Sequence, residues 1–184
     1  MVVSVAVLLV LAAVALPTLT RAFASYQLND AAARLAGILK FTRYEAIRLN
    51  KLVDCEIQQT ATGWLVYADI NRNQQADLGE KQDAITGQVT LLPAGGLPDP
   101  GPIVAALGNS GLTLTTISGT NAVVTFDARG AITNAAGADL LKFVYVMYLG
   151  NNTNGLGYRA VVLLPSGMVH VWTAPAGGVW QQVS

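Results

Sequence analysis

Charge is scarce in this chain. Of its 184 residues only 12% are Asp, Glu, Lys or Arg, and 11 acids balance 11 bases at pH 7. A neutral chain has no whole-molecule electrostatic footprint for a polyanion, so no nucleic-acid partner is expected. Cysteine occurs once, as Cys55, which excludes an internal disulfide and a cysteine-based metal site. Its place in an alternating run marks it as a small buried residue. Histidine also occurs once, as His170 between Val169 and Val171, and reads as a surface-facing structural residue. No Ser/His/Asp set has supporting context. The Gly-rich stretch P-A-G-G-L-P-D-P-G-P is broken by proline, and no helix start with a lysine follows it, so it is no phosphate cradle. An enzyme is therefore not expected, and no catalytic residue is assigned.

The longest absence of charge lies at the start. Met1 to Thr20, M-V-V-S-V-A-V-L-L-V-L-A-A-V-A-L-P-T-L-T, carries none, and the mean hydropathy of the whole chain is +0.43. A helix of this length rises about 30 Å, the hydrocarbon thickness of a bilayer. A cleaved secretory signal is the rival reading, but it would have a basic start, and helical patterning would stop after the apolar run. Here no Lys or Arg precedes Arg21, and the pattern continues. Leu28, Ala32, Leu35, Leu39, Thr42, Ala46 and Leu49 step by three and four residues along one face, with Arg34, Lys40, Arg43, Glu45 and Arg48 mostly elsewhere. Pro17 predicts a kink or local unwinding rather than an end. The expectation is one helix of about fifty residues, about 75 Å long. Residues 1–20 form its transmembrane part, residues 21–51 its amphipathic part, and residues 52–184 a β domain.

After Lys51 the period changes to two. Leu52–Gln58 and Gly63–Ala68 read as a hairpin, and Ile85–Leu92 as the next strand. Pro93 to Ser110 reads as a loop. Leu112–Ser118, Ala122–Asp127, Ala131–Thr133 and Lys142–Leu149 follow as strands, then a hairpin of Arg159–Leu164 and Met168–Thr173. The tail, A-P-A-G-G-V-W-Q-Q-V-S, is a candidate edge strand.

Between the first hairpin and the next strand, oxygen-bearing side chains fall at relative positions 1, 3, 5, 7, 9 and 12: Asp69, Asn71, Asn73, Gln75, Asp77 and Glu80. That is the ligand spacing of an EF-hand calcium loop. Calcium takes six to eight hard oxygens, residue seven normally offers its carbonyl, and Glu80 can supply two oxygens. Two features oppose the reading. The sixth position, where the loop bends with positive φ, holds Gln74 rather than glycine, and a strand rather than a helix leads in. A metal-free polar turn uses the same residue types, so both readings stay open.

The plan as a whole resembles type IV pilins and pseudopilins, whose helix is half in the membrane and half on a β domain. The apolar stretch up to Pro17 resembles the segment that follows the prepilin peptidase motif in that class. L-A-G-I-L-K-F-T-R-Y-E-A-I-R-L-N-K (Leu35–Lys51) is similar to the L-x-x-x-L-x-x-A-R-x-E-A-I-x-R-N-x helix end of the GspH/FimT group of minor pseudopilins. G-W-L-V-Y-A-D-I-N-R-N-Q-Q-A-D-L-G-E resembles that group's G-W-x-V-F-x-D-x-N-x-N-G-x-x-D-x-G-E. V-T-F-D-A-R-G-A-I-T and V-V-L-L-P-S-G-M-V-H-V resemble its F-x-x-x-G turn and closing hairpin.

The resemblance implies an α+β, pilin-like fold: a long N-terminal membrane-spanning helix packed on a C-terminal antiparallel β domain. It implies a minor pseudopilin or minor type IV pilin, a structural subunit of a type II secretion pseudopilus or a pilus. The alternative is a DNA-binding minor pilin for DNA uptake, for which Arg129, Lys142 and Arg159 are a sparse basic set. The implied partners are other pilin or pseudopilin subunits, met through the helix, and the bacterial inner membrane, with the β domain extracytoplasmic. Prepilin peptidase is a further implied partner. The class begins with a short basic leader, a glycine and F-T-L-I-E, whereas this chain starts at Met1, just after that glutamate. Two explanations stay open: an upstream start codon, or a divergent chain that is not processed.

Overall fold

The computed structural model describes residues 2–86, 89–92, 97–107, 113–116, 121–134, 143–151 and 155–183, without the side chains of 2–12, 14, 113–116, 143–148 and 151. Helix α1 (Val2–Leu49) runs unbroken through Pro17. It ends at Asn50, whose φ of 51° is the left-handed conformation that closes helices, and the Lys51 N–H returns to the Ala46 carbonyl. Leu28, Ala32, Leu35, Leu39, Thr42 and Ala46 are all buried, as their spacing predicts, and Leu49 is half-buried. The three turns before Leu28 are different: Leu16, Leu19, Phe23 and Tyr26 are exposed, so the described residues leave them uncovered. Among the described residues no helix is long and apolar enough to cross a membrane. Most side chains of residues 1–20, on which that expectation rests, lie outside the described set.

The helix packs on two sheets. The first has the order β3-β2-β1-β6-β7, with β1 (Val53–Thr60), β2 (Gly63–Asp69), β3 (Gln82–Thr86), β6 (Asn121–Phe126) and β7 (Ile132–Thr133), all antiparallel. The second has the order β11-β10-β9-β8-β4, with β4 (Val89–Leu92), β8 (Phe143–Asn151), β9 (Tyr158–Leu163), β10 (Val169–Ala174) and β11 (Gln181–Gln182). Strand β5 (Thr113–Thr116) joins it parallel to β8. Val53, Cys55 and Ile57 of the first sheet and Val161 and Leu163 of the second meet Leu28, Leu35 and Leu39 of α1 in one apolar core. Polar ties fix the helix to both sheets: Arg34 donates to Asp83 at 3.1 Å, and Arg159 donates to Asn29 at 2.6 Å.

Two expectations need correction. The run 85–92 is not one strand, because β3 belongs to the first sheet and β4 to the second. Ile85, Val89 and Leu91 are all buried and keep one phase, so alternation does not reveal the change of sheet. The stretch 93–110 is not loop throughout. It contains a short helix, α2 (Gly101–Ala106), begun by Pro102 at a position whose N–H a helix does not use, and it buries Ile103. The tail does form an edge strand, with Gln181 and Gln182 opposite Thr173 and Trp172.

Candidate functional site

Strand β1 determines the site through its parity. Its register sets Asp54 opposite Asp69, Glu56 opposite Tyr67 and Gln58 opposite Leu65. Opposed residues share a face and neighbours alternate. Cys55 and Ile57 therefore point at α1, while Asp54, Glu56 and Gln58 point away. Burial pushes the Cys55 thiol up to about 12, so it is an inert packing residue.

A face bearing Asp54, Glu56 and Asp69 is expected to meet water. Instead Asp54 is 7% exposed, Glu56 3%, and Asp69 and Tyr67 fully buried. The cover is the loop after β2. Arg72 Nε donates to Asp54 Oδ2 at 2.9 Å, and the Gln58 amide donates to the Gln74 carbonyl at 3.3 Å and to the Tyr67 hydroxyl at 2.6 Å. Asp54 and Gln58 lie two residues either side of Glu56, so residues 72–74 bridge the strand above it. Burial first, and then the Asp54 and Asp69 carboxylates, push Glu56 up to about 7.

The structure brings the candidate loop residues together through hydrogen bonds of their own. Asp69 Oδ1 accepts from the Asn73 N–H at 3.1 Å and Oδ2 from the Gln74 N–H at 2.7 Å. Asn71 Oδ1 accepts from the Asn73 N–H and Asn73 Oδ1 from the Gln75 N–H. Glu80 reaches back, taking the Ile70 N–H on Oε1 and the Asp77 N–H on Oε2. Asp77 Oδ2 accepts both the Asn71 and Asn73 amides, at 2.7 and 2.8 Å. Gln74 takes a φ of 63° and Arg72 one of 61°, so the sixth position does bend as a calcium loop requires, without its glycine. The Gln75 side chain is exposed and only its backbone joins the network. Among the described residues, no three His, Cys, Asp or Glu side chains already stand in a metal-binding arrangement.

Reading the sequence alone missed Asp54, Glu56 and Arg72. The available signal was the alternation of Asp54, Glu56 and Gln58 along β1, which reads equally well as a solvated face. His170 is half-exposed on β10, with Nδ1 2.7 Å from the Gln182 amide, in keeping with a structural role.

A helix packed on two largely antiparallel sheets, with exposed apolar side chains on its turns before Leu28, is a pilin-like arrangement. The family model described as type II transport protein GspH matches residues 31–167, and the chain belongs to that family. Among solved structures, the chain is similar to the type IV minor pilin FimU of Pseudomonas aeruginosa in two crystal forms. One aligns with 14% identity over 85% of this chain and 98% of that one, the other with 15% over 86% and 94%, each at a TM-score of 0.48. No curated protein matches the chain.

Proposed function

We propose that this chain is a minor pseudopilin or minor pilin, held in the bacterial inner membrane by the first twenty residues of α1 until it enters a filament. The family membership supports a structural subunit of this kind. The observation that carries the reading further is the contrast along α1: Leu16, Leu19, Phe23 and Tyr26 are exposed, while Leu28, Leu35 and Leu39 are buried. A row of large apolar side chains in water is costly, and burial stabilises each by about 1.5–3 kcal/mol. Lipid supplies that burial before assembly, and the helices of neighbouring subunits supply it afterwards. The β domain then lies on the extracytoplasmic side, and the helix carries the contacts between subunits.

The test is a photo-crosslinking residue at Phe23, compared with one at Lys40, in cells that express the whole assembly system. The reading expects adducts with other pilin-type subunits from Phe23. Adducts confined to lipid in the assembled state, or none at all, would remove filament entry from the proposal.

A further inference from the structure

We propose that the loop from Asp69 to Glu80 binds a hard divalent cation of the calcium class, seated above the carboxylate layer of the first sheet. Two separate observations carry this. The first is the ligand set. The loop brings only oxygen donors, it includes neutral amides beside Asp69, Asp77 and Glu80, and Asn71, Asp77 and Glu80 line one side of an open depression of about 780 Å³. Many oxygens on an irregular loop suit calcium better than magnesium, which demands a small rigid octahedron and keeps its water.

The second observation lies outside the loop, in the sheet beneath it. Asp54 Oδ1 and Glu56 Oε1 are buried and have no hydrogen-bond partner among the described residues. Asp54 stands directly opposite Asp69 and touches the loop through Arg72. Asp54, Glu56 and Asp69 thus lie buried together, and the Arg72 guanidinium is ion-paired to the first of them. Buried carboxyl oxygens left unpaired are unfavourable unless a donor or positive charge comes near, and a divalent cation in the loop brings that charge. A solvated polar turn would need no such layer.

The geometry also says what the ion replaces. Asp77 Oδ2 is held by the side-chain amides of Asn71 and Asn73. These two donors occupy the acceptor that a cation would use. Binding exchanges them for the metal, while the backbone bonds to Asp69 and Glu80 keep the path of the loop. No redox or covalent step is involved. The inference holds whether the chain serves a secretion or a pilus machine, so either reading can fail alone.

The test uses the full chain in detergent, stripped with a chelator, then titrated with calcium chloride by calorimetry and melted with and without the ion. One saturable ion per chain and a raised melting temperature are expected. Asp77→Asn and Glu80→Gln should each weaken binding by about tenfold or more, and Asp54→Asn by several-fold. Asp99→Asn, in the segment beside the second sheet, should leave binding unchanged. Gln74→Gly keeps every ligand and relieves the bend, so it should bind at least as tightly as the parent, which guards against a ligand variant that merely misfolds. Absence of saturable binding up to about 10 mM calcium, above the weak range of extracellular calcium modules, overturns the proposal. So does binding that Asp77→Asn and Glu80→Gln leave unaltered.

Discussion

The face of the second sheet that looks away from α1 is closed by tryptophan, and the corresponding face of the first sheet by carboxylates. Trp172, Trp180, Ala160 and Val162 form a small apolar cluster with Ile103 of α2, and Trp180 Nε1 donates to the Pro98 carbonyl at 3.2 Å. Asp54, Glu56, Asp69 and Tyr67 form its counterpart under the loop 70–81. Both faces are dry, but different physics keeps them so. Apolar burial needs no fixed geometry and is indifferent to pH. A buried carboxyl layer holds only while its hydrogen bonds, the Arg72 guanidinium and its protons are in place. One face is suited to permanent closure. The other can be adjusted by what the solvent supplies.

Truncation should separate the two most sharply on the apolar side. Trp172→Ala removes a side chain that is 4% exposed and should cost about 3–5 kcal/mol in denaturant unfolding, with little dependence on pH. A strongly pH-dependent loss would mean the two layers are not independent.

The carboxylate side should instead respond to pH without calcium. Glu56 titrates near 7 in the fold, against an ordinary value of 4.5. The folded chain therefore holds a proton that the unfolded chain has released, and stability falls as pH rises from about 4.5 to about 7. The difference corresponds to an order of 3 kcal/mol. Glu56→Gln should flatten that slope and leave the variant more stable than the parent at pH 8. An unchanged slope would place the titration on another group.

The Arg72–Asp54 pair is a smaller test, because the arginine is partly exposed and solvent screens it. A double-mutant cycle with Arg72→Met and Asp54→Asn should return a coupling of about 1–2 kcal/mol. A coupling near zero would mean the loop is held down by Gln58 and by the backbone bonds to Asp69.

How legible this was in the sequence depends on what carried the information. The helix stripe could be read because a 3.6 period projects directly onto one packed face, and Leu28 to Ala46 are buried as the period requires. Glu45 broke the rule: it sits in the packed face, 6% exposed, held by both of its oxygens to Arg48 Nε at 3.1 Å. A short-range ion pair of this kind leaves no mark on apolar spacing. The strands could be read for the same reason as the helix, but not their sheet membership, since period two fixes which side a residue faces and not which neighbour it pairs with. Helix α2 was masked by the prolines that start it. The loop's spacing was visible from Asp69 to Glu80. Its closure over β1 was not, because Arg72–Asp54 and Gln58–Gln74 join residues far apart in the chain through single bonds.

Gln74 offers the finest comparison, since it asks how much the polar lid strains to close. Its φ of 63° places a side chain where L-residues crowd the following carbonyl, which costs about 1–2 kcal/mol. Glycine removes that crowding but adds freedom to the unfolded chain, worth about 0.5–1 kcal/mol in the other direction. Gln74→Gly should therefore stabilise by about 0.5–1 kcal/mol, read as a rise in the denaturation midpoint with an unchanged slope. The bonds that hold this position are the Gln74 N–H to Asp69 and its carbonyl to Gln58, both backbone groups that glycine keeps. A destabilised variant would show that the exposed Gln74 side chain holds the lid, and that the loop is closed from its outer surface as well as from the carboxylates below.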